Sequence, residues 1–235
     1  MAVADDSGIK TYADLKGQSI GVLSMGSVGV VVARAVVSAA GLNPDRDVRI
    51  VVSGEPAQTA ALMRRGDVKA LSQFDTYYAM IERAGVKLRK LRDPEIELFP
   101  SNAWVALEDT LSKRRAEIVG FTRAYAMGTA YSIKHPREAI KMVYELYPET
   151  IPRAVELEEG VTNDQISLDD RIKTWRLDNP EKDAWGTIDV EAFQAYFDWL
   201  QKWGLLKAHV DAKQLSTDGL IGDINQFDKK LIEEK

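Results

Sequence analysis

The sequence predicts an α/β fold with a mainly parallel sheet, followed by a helical C-terminal region. Between residues 19 and 92, short β-branched or aliphatic runs alternate with segments of helical length. Each of these helical segments ends at a glycine, which is the residue most common just past a helix C-terminus. After residue 108 the spacing of apolar residues becomes that of helices. Strands that alternate with helices form a parallel sheet covered on both faces.

The strands and the first helix follow from the apolar runs at the start of this region. The predicted strands are residues 20–23, 48–52, 68–71 and 86–91. The first helix covers the valine-rich run after Ser27 and ends at Gly41, with Pro44 just beyond. Its apolar residues recur at spacings of three and four, which predicts one buried stripe. The stripe consists of Val28, Val31, Val32, Ala35, Val36 and Ala39.

The second and third helices are recognised by their first and last residues. The second begins at Glu55-Pro56, where proline costs little because the first N–H groups of a helix have no helical partner. It ends at Gly66. The third begins with Asp75 as its N-cap and ends at Gly85. Its predicted buried residues are Tyr78, Ile81 and Ala84.

The C-terminal region is predicted to consist of successive helices. Asp109 or Thr110 can cap a long helix that ends at His135-Pro136. A helix over 137–147 follows, then a looser helical stretch that contains Trp175, and a polar connector at Asn179-Pro180. The apolar positions of the long helix are Ile118, Phe121, Tyr125, Met127 and Tyr131, and those of the last helix, which ends at Gly204, are Phe193, Tyr196, Phe197 and Leu200.

Composition excludes several classes of function. The net charge of −5 and the pI near 5.3 provide no basic field for a phosphate backbone, so nucleic-acid binding is disfavoured. The absence of cysteine excludes thiolate catalysis and sulfur-ligated metals, and 2 histidines are too few for a His-rich metal site. No apolar run has the length of a membrane span, and the first residues lack the pattern of a signal peptide. We therefore expect a small ligand or a protein partner, and neither a metal nor a cofactor.

The turn after the first strand is similar to three known loops but matches none of them. From Gly21 the glycine spacing is that of a P-loop, but Ser27 stands where the phosphate-binding lysine is required. The dinucleotide-binding glycine motif is represented only by its second half. The nucleophile elbow fails because Val22 occupies the first glycine position around Ser24.

An anion is the ligand that this turn suits best. Serine hydroxyls and free N–H groups at a helix N-terminus hold a sulfonate, carboxylate, nitrate or phosphate without a basic side chain. The turns at Ser24, at Gly54-Glu55 and at 73–75 are all expected at the carboxyl edge of the sheet. The simpler interpretation is an ordinary strand-to-helix turn in which Ser27 only caps the helix. Glu55 would repel an anion unless the ligand also carries an amine.

Several segments together resemble the second lobe of ABC-transporter solute-binding proteins, in the class that carries sulfonates, taurine, nitrate and thiamine precursors. The resemblance lies in the order and spacing of the segments, since none is diagnostic alone. The segments are 14–17 (DLKG), 20–22, 25–27, 41–44 (GLNP), 58–66, 74–78 (FDTYY), 204–211 and 218–221. It implies an α/β lobe like those of type II periplasmic binding proteins over residues 8–107, and a helical region over 108–235.

Carried over position by position, the resemblance implies ligand contacts at the strand ends. The anion-facing turn would be Ser24, Met25, Gly26 and Ser27. Gln73 and Asp75 would face the cleft between the lobes, and Asn102 would stand where such proteins cross back to their first lobe. The pattern alone explains Asp75 equally well as a helix N-cap and Asn102 as a turn residue.

The resemblance implies a carrier, namely the substrate-binding component of an ABC transporter. Such a protein closes two lobes over a small anionic or organic solute and delivers it to a membrane permease, so it is periplasmic or exported and membrane-associated. One alternative is an enzyme on the same scaffold, similar to thiamine-pyrimidine-synthesis proteins or to a desulfinase, and a weaker one is an interaction module without a ligand. The enzyme is disfavoured because neither His135 nor His209 lies on the strand-end turns.

The resemblance also predicts how the chain differs from complete proteins of this class. Most of their first lobe precedes the Asp-Leu-Lys-Gly segment, which here begins at residue 14. We therefore expect the first lobe to be absent and the helices after residue 108 to lack their usual sheet. Their apolar residues, among them Phe193, Phe197, Leu200 and neighbouring tryptophans, would then be exposed, which favours a homodimer through the C-terminal helices or an unusual helix packing.

Overall fold

The chain forms two compact units, each of which contains two separate stretches of sequence. The computed structural model describes residues 1–92, 95–100, 102–152, 155–175, 184–228, 230 and 232. The first unit consists of Met1–Phe99 and Gln194–Val210, and the second of Pro100–Phe193 and Asp211–Lys235. Residues 194–210 therefore belong with the α/β part of the chain, whereas the predicted division placed them in the region 108–235. The predicted connector at Asn179-Pro180 lies outside the described residues.

A sheet lies at the centre of the first unit. Its strands are β1 (Ala2–Ala4), β2 (Ser19–Val22), β3 (Arg49–Val52), β4 (Ala70–Leu71) and β5 (Leu88–Lys90), in the spatial order β3-β2-β4-β1-β5. β2 pairs in parallel with β3 and β4, whereas β1 pairs antiparallel with β4 and β5. Four of the five strands, all except β1, therefore run in the same direction, and the predicted α/β fold with a mainly parallel sheet is confirmed. The sequence did not predict β1 because a run of 3 residues has no recognisable periodicity.

Helices cover both faces of this sheet, as predicted. They are α1 (Val28–Ala39), α2 (Pro56–Arg65) and α3 (Asp75–Arg83). Ala33 and Val37 of α1 lie in one apolar cluster with Ile20 of β2. Ala60 of α2 and Ile81 of α3 lie in a second cluster, on the other face. Successive residues of a strand point to opposite faces, so Ala2 and Val3 of β1 enter different clusters.

The ends of these three helices follow the prediction closely. Gly41, Gly66 and Gly85 lie just past them with φ of 78°, 80° and 90°, a left-handed conformation that glycine adopts without strain. The predicted N-cap of α3 is wrong by one residue, because Phe74 is the N-cap and Asp75 is the first helical residue. The Asp75 carboxylate accepts the N–H of Thr76 at 2.9 Å and so still lies at the helix N-terminus.

The buried surface of α1 differs from the predicted stripe. Ala35 and Val36 are buried as predicted, but Val28 is 45% exposed and Ala39 is exposed. Ala33 and Val37, which lie outside the stripe, are fully buried. The reason is that α1 packs on two partners, the sheet on one side and residues 194–210 on the other, so one stripe does not describe it.

The segment 194–210 packs on α1 mainly through Trp199. It contains most of α8 (Val190–Lys202), which is followed by Gly204 with φ of 72°. The Trp199 side chain is 3% exposed and shares an apolar cluster with Ala35 and Val36. Its ring lies 5.4 Å from the ring of Phe99. The expectation that Phe193, Phe197 and Leu200 are exposed is wrong, because all three are half-buried.

The second unit is helical, as predicted, but the first of its helices is divided. Its longer helices are α4 (Glu108–Lys113), α5 (Arg115–Lys134), α6 (Pro136–Leu146) and α7 (Leu157–Ile172), followed after α8 by the short α9 (Ala212–Leu215) and α10 (Ile221–Ile224). Neither Asp109 nor Thr110 is the cap, because α4 begins at Glu108 with Leu107 as its N-cap. The helix is interrupted at Arg114, and α5 begins at the next residue. It ends at His135, as predicted. Among the described helices, none is long and apolar enough to cross a membrane.

Three of the apolar residues that the sequence places on the long helix are exposed in α5. Phe121, Tyr125 and Met127 are exposed, by 58%, 56% and 37%. The buried residues are instead Val119, Thr122, Ala126 and Thr129, whose small side chains allow close helix packing. Trp104 stands edge-on against the rings of Phe121 and Tyr125, at 4.9 and 5.0 Å, so the exposed aromatic rings pack on one another.

Candidate functional site

The carboxyl ends of three parallel strands bring three turns together, and we call this place the strand-end edge. The turns are residues 24–27 after β2, 53–55 after β3 and 72–74 after β4, and each leads into a helix. The register aligns Val22 with Val52 and Gly21 with Leu71. Ser53 and Gln73 therefore lie on either side of the end of β2. In open α/β sheets, ligands bind beyond the carboxyl ends of the strands.

None of the three helices that begin at the strand-end edge is capped by the side chain of its N-cap residue. Their N-cap residues are Ser27, Glu55 and Phe74, and none makes a side-chain hydrogen bond to its own helix. The Ser27 hydroxyl instead donates to the Ser24 carbonyl oxygen at 2.7 Å. The first N–H groups of α1 are therefore not occupied by the serine predicted to cap them. Open N–H groups and the helix dipole together favour a negatively charged ligand.

The turn from Ser24 to Ser27 is held by its own backbone. The Ser27 N–H donates to the Ser24 carbonyl oxygen at 3.1 Å, which closes a tight turn. Ser24, Met25 and Gly26 are exposed, and Ser27 is half-buried. The side chain of Met25 is 58% exposed, so an apolar group stands beside the N-terminus of α1. The turn is accessible to a ligand with both a charged and an apolar part.

Gln73 connects the two sides of the strand-end edge. Its side-chain Nε2 donates to the hydroxyl of Ser53 at 2.9 Å, across the end of β2. Ser53 is fully buried and is held in turn by Thr59, whose hydroxyl lies 3.0 Å away. The backbone N–H of Gln73 donates to the hydroxyl of Tyr78 at 2.9 Å. The side-chain oxygen Oε1 of Gln73 is buried and has no hydrogen-bond partner.

A carboxylate also lies at the strand-end edge. Glu55 is exposed at the N-terminus of α2, and the hydroxyl of Tyr77 donates to its Oε2 at 3.4 Å. Loss of solvation, and secondly the charge of Glu55, raise the pKa of the Tyr77 hydroxyl, so Tyr77 remains a donor at neutral pH. Glu55 therefore stays close to the first turn of α3.

The N-terminal part of the chain matches a family model described as NMT1/THI5 like, over residues 1–139. The chain belongs to this family. The match covers more than half of the 235 residues and includes the whole strand-end edge. Among curated proteins, none matches this chain.

Solved structures show the same fold as this member of the NMT1/THI5-like family. The periplasmic aliphatic sulphonate binding protein SsuA from Escherichia coli has a TM-score of 0.55 and 21% identity, and the alignment covers 92% of this chain and 64% of that one. A putative periplasmic sulfonate-binding protein SsuA from Methylobacillus flagellatus KT has a TM-score of 0.55 and 18% identity, covering 99% and 66%. The chain thus spans slightly less than two thirds of the length of these proteins. At such identities the similarity concerns the fold.

An enzyme also appears among the similar structures. The desulfurization enzyme DSZB has a TM-score of 0.49 and 17% identity, with 95% of this chain and 74% of that chain covered. A TM-score this low carries no argument about function. Of the two histidines, His135 lies at the end of α5 in the second unit and His209 is exposed in the segment 194–210. Neither lies on the turns of the strand-end edge.

The predicted site residues divide between the two units of this NMT1/THI5-like protein. The structure brings together those of the first unit at the strand-end edge: Ser24, Met25, Gly26, Ser27, Gln73 and Asp75. Asn102 lies in the second unit, exposed on a segment without regular secondary structure before α4. Ligand contact by any of these residues stays a prediction.

The sequence did not predict that Ser53 and Thr59 belong to the site. It also did not predict that the Tyr78 hydroxyl accepts a hydrogen bond there. Ser53 and Thr59 are both fully buried and hydrogen-bonded to each other. One signal in the sequence could have indicated Ser53: a serine directly follows each of β3 and β4, as Ser53 and Ser72. Tyr78 was predicted to be buried, which is confirmed by its 8% exposure, but its bond to Gln73 depends on the tertiary structure.

Tyr78→Phe is expected to give a pH-dependent loss of stability. Burial raises the pKa of the Tyr78 hydroxyl to about 12, so the folded state holds this proton more tightly than the unfolded state does. The stability that the folded state gains from the protonated Tyr78 hydroxyl is complete below pH 10, and it is lost between about pH 10 and 12. At pH 8 the variant should be less stable by about 1 to 2 kcal/mol, because the Gln73 N–H loses its acceptor. Urea denaturation at pH 8 and at pH 11 should show this difference shrinking.

The matched control for this comparison is Tyr147→Phe, at a tyrosine that is 56% exposed. It accounts for general effects of removing a tyrosine hydroxyl. A stability difference between wild type and Tyr78→Phe that is the same at both pH values would contradict the assignment.

The rest of the described chain offers less for a ligand. The second unit has an open groove of about 340 Å³, lined in part by Arg115, Thr217 and Leu220. The guanidinium of Arg115 is already paired with Asp223 at 2.7 Å and donates to the Gly219 carbonyl oxygen at 2.8 Å. Among the described residues, no group of three or more carboxylate or imidazole side chains is placed to hold a metal ion.

Proposed function

We propose that this chain is the substrate-binding component of an ABC transporter and that it holds a small anionic solute at the strand-end edge. The observation that carries the proposal is the convergence of three helix N-termini, none of them capped by the side chain of its N-cap residue, at one edge of a sheet in a chain of the NMT1/THI5-like family. Similar structures include sulphonate-binding proteins of the periplasm, which supports a sulfonate among the candidate solutes. The site residues of the proposal are Ser24, Met25, Gly26, Ser27, Gln73, Asp75 and Asn102.

The chemistry of the edge supports binding without catalysis. Each helix N-terminus carries about half a positive charge, and the first N–H groups of α1, which the Ser27 side chain leaves uncapped, are fixed donors that need no reorganisation when an anion arrives. The carrier therefore acts by holding the solute and delivering it to a membrane permease, which makes it periplasmic or exported. Taurine, nitrate and thiamine precursors remain candidate solutes beside sulfonates. A homodimer through the C-terminal helices stays a prediction, with the exposed aromatic residues of α5 as its surface.

The proposal is tested by Val28→Pro, which removes one N–H donor at the N-terminus of α1 and keeps the helix. Proline is well tolerated as the first residue of a helix. Ser27 has φ of −78° and ψ of 153°, which is the extended conformation that a residue before proline prefers. We expect affinity for the anion to fall about tenfold or more, because a hydrogen bond to a charged group is lost. Isothermal titration calorimetry with 1-propanesulfonate, 3-aminopropanesulfonate and nitrate measures this change.

Leu157→Pro is the matched control for this variant. Leu157 is the first residue of α7 in the second unit, and Glu156 before it has φ of −65° and ψ of 150°. The control should bind like the wild type, and both variants should keep the wild-type circular dichroism spectrum. If the wild type binds none of the three compounds, or if Val28→Pro binds as tightly as the wild type, the proposed anion site is wrong.

A further inference from the structure

The edge of the sheet opposite the strand-end edge carries a group of basic side chains, and we call this place the basic edge. Because α2 and α3 begin at the strand-end edge, they end at the opposite one, where β4 and β5 begin. The chain passes this edge in the segments 64–69 and 82–87, which hold five basic and two acidic side chains. The two segments therefore have a net charge of +3, in a chain whose net charge is −5.

The two segments are joined by Arg64 in the last turn of α2. Its Nη1 donates to the carbonyl oxygen of Ala84, just past α3, at 2.7 Å. The Lys69 ammonium lies against the same end of α2, since a Cβ atom on Gly66 would be 2.8 Å from its Nζ. Basic side chains in the last turn of a helix complement the helix dipole, which accounts for the presence of Arg64.

Lys69 and Lys87 are basic residues that the helix dipole does not account for. Each lies outside the helices and directly precedes a strand, β4 or β5. The register pairs Val3 of β1 with both Ala70 and Arg89. The backbones of the two lysines are therefore about 10 Å apart, which is two strand spacings. Both side chains are exposed, and among the ion pairs between described residues none involves either of them.

The basic edge lacks the apolar side chains that would anchor a protein partner. The structure describes all residues of the segments 64–69 and 82–87, and no large apolar side chain is exposed in them, since Val68 and Val86 are buried. Protein interfaces have an apolar core with aromatic anchors, and single-stranded nucleic acids stack on aromatic rings. A surface of anionic lipid headgroups requires neither, and it attracts each nearby lysine or arginine by charge alone.

We propose that the basic edge binds an anionic phospholipid surface, with Arg64, Lys69 and Lys87 at the headgroups. The contact is electrostatic, so it is reversible and is weakened by salt. α2 has 10 residues and separates the basic edge from the strand-end edge by about 15 Å. Solute binding at the strand-end edge does not require the lipid contact, so the two can be tested separately.

The test compares vesicles of phosphatidylglycerol and phosphatidylcholine in equal parts with vesicles of phosphatidylcholine alone. Co-sedimentation of the full chain should show binding to the anionic vesicles at low salt, and little binding at high salt or to the neutral vesicles. Lys69→Gln/Lys87→Gln should bind the anionic vesicles at least about tenfold more weakly, because two attractive charges are lost. Lys69→Arg/Lys87→Arg keeps both charges and should bind like the wild type.

The control is Lys134→Gln/Lys207→Gln, which makes the same change in net charge at exposed lysines outside the two segments. It should bind the anionic vesicles like the wild type, and an equal loss in this control would overturn the assignment to the basic edge. Equal binding of the wild type to both kinds of vesicle would overturn the lipid contact. Tighter binding to a single-stranded RNA oligomer than to the anionic vesicles, at the same salt concentration, would also overturn it.

The lipid contact and the proposed function are separated by calorimetry. Lys69→Gln/Lys87→Gln should bind 1-propanesulfonate with the wild-type affinity, because neither lysine lies at the strand-end edge. A wild type that binds the sulfonate but not the anionic vesicles would overturn the lipid contact and leave the proposed function standing. A wild type that binds the anionic vesicles but none of the three compounds would overturn the proposed function and leave the lipid contact standing.

Discussion

Gly29→Ala is expected to destabilise the first unit by about 3 kcal/mol, although glycine to alanine inside a helix normally stabilises. A Cβ atom at residue 29 would lie 2.2 Å from the carbonyl oxygen of Ser72 and 3.2 Å from its carbon. Both are backbone atoms at the end of β4, so no side-chain rotation relieves the contact. The N-terminus of α1 has to move away from the strand-end edge. Urea denaturation followed by circular dichroism measures the change in the free energy of unfolding.

The control for this substitution is Gly128→Ala in α5. Gly128 also lies inside a helix, but no heavy atom lies within 4 Å of the position of its Cβ. The control should be more stable than the wild type by about 0.5 to 1 kcal/mol. The two substitutions therefore have opposite signs. An increase in stability from Gly29→Ala would show that α1 does not approach β4 as closely as the structure indicates.

Trp199→Ala is expected to cost about 3 to 5 kcal/mol, the usual range for removing a large buried aromatic side chain. Trp199 is 3% exposed and packs between Phe99 and the residues Ala35 and Val36 of α1. The loss should appear in the unfolding of the sheet-containing unit, because residues 194–210 belong to it. Thermal and urea unfolding of the purified variant measure the effect.

Two further substitutions make this result specific. Trp104→Ala removes a tryptophan that is 58% exposed and should cost less than about 1 kcal/mol. Trp199→Phe keeps a ring in the cluster and removes the buried indole Nε1–H, which has no hydrogen-bond partner. It should cost less than half as much as Trp199→Ala, because part of the lost packing is offset by removing an unsatisfied donor. Equal effects of Trp199→Ala and Trp104→Ala would contradict the packing of α8 on α1.

The helices of the first unit were predicted well because their signals are local. Gly41, Gly66 and Gly85 end helices at the predicted places, and Pro56 begins α2. Such signals depend on backbone conformation within a few residues, which the sequence contains in full. The cap of α3 was missed by one residue, since Phe74 rather than Asp75 has the extended conformation of an N-cap.

The burial of helix faces was predicted less well because it depends on distant partners. On α5 the large residues Phe121 and Tyr125 form a plausible apolar stripe, yet the small residues Ala126 and Thr129 are buried. The periodicity of one helix does not indicate which neighbour packs on it or how closely. In the same way, Trp199 lies among several aromatic residues of α8, and only its contact with α1 distinguishes it.

The candidate site likewise has features that the local sequence predicts and features that depend on the tertiary structure. The sequence by itself determined that strand-to-helix turns lie at Ser24, Glu55 and Gln73. It also determined that the turn at Ser24 has neither a phosphate-binding lysine nor a nucleophile elbow, because residue identity and spacing define such motifs. Only the tertiary structure decided that the Ser27 side chain makes no capping bond to α1, that Gln73 reaches Ser53 across β2, and that the Oε1 of Gln73 has no partner. Hydrogen bonds between residues 20 positions apart in the chain depend on strand order and register, which no local pattern specifies.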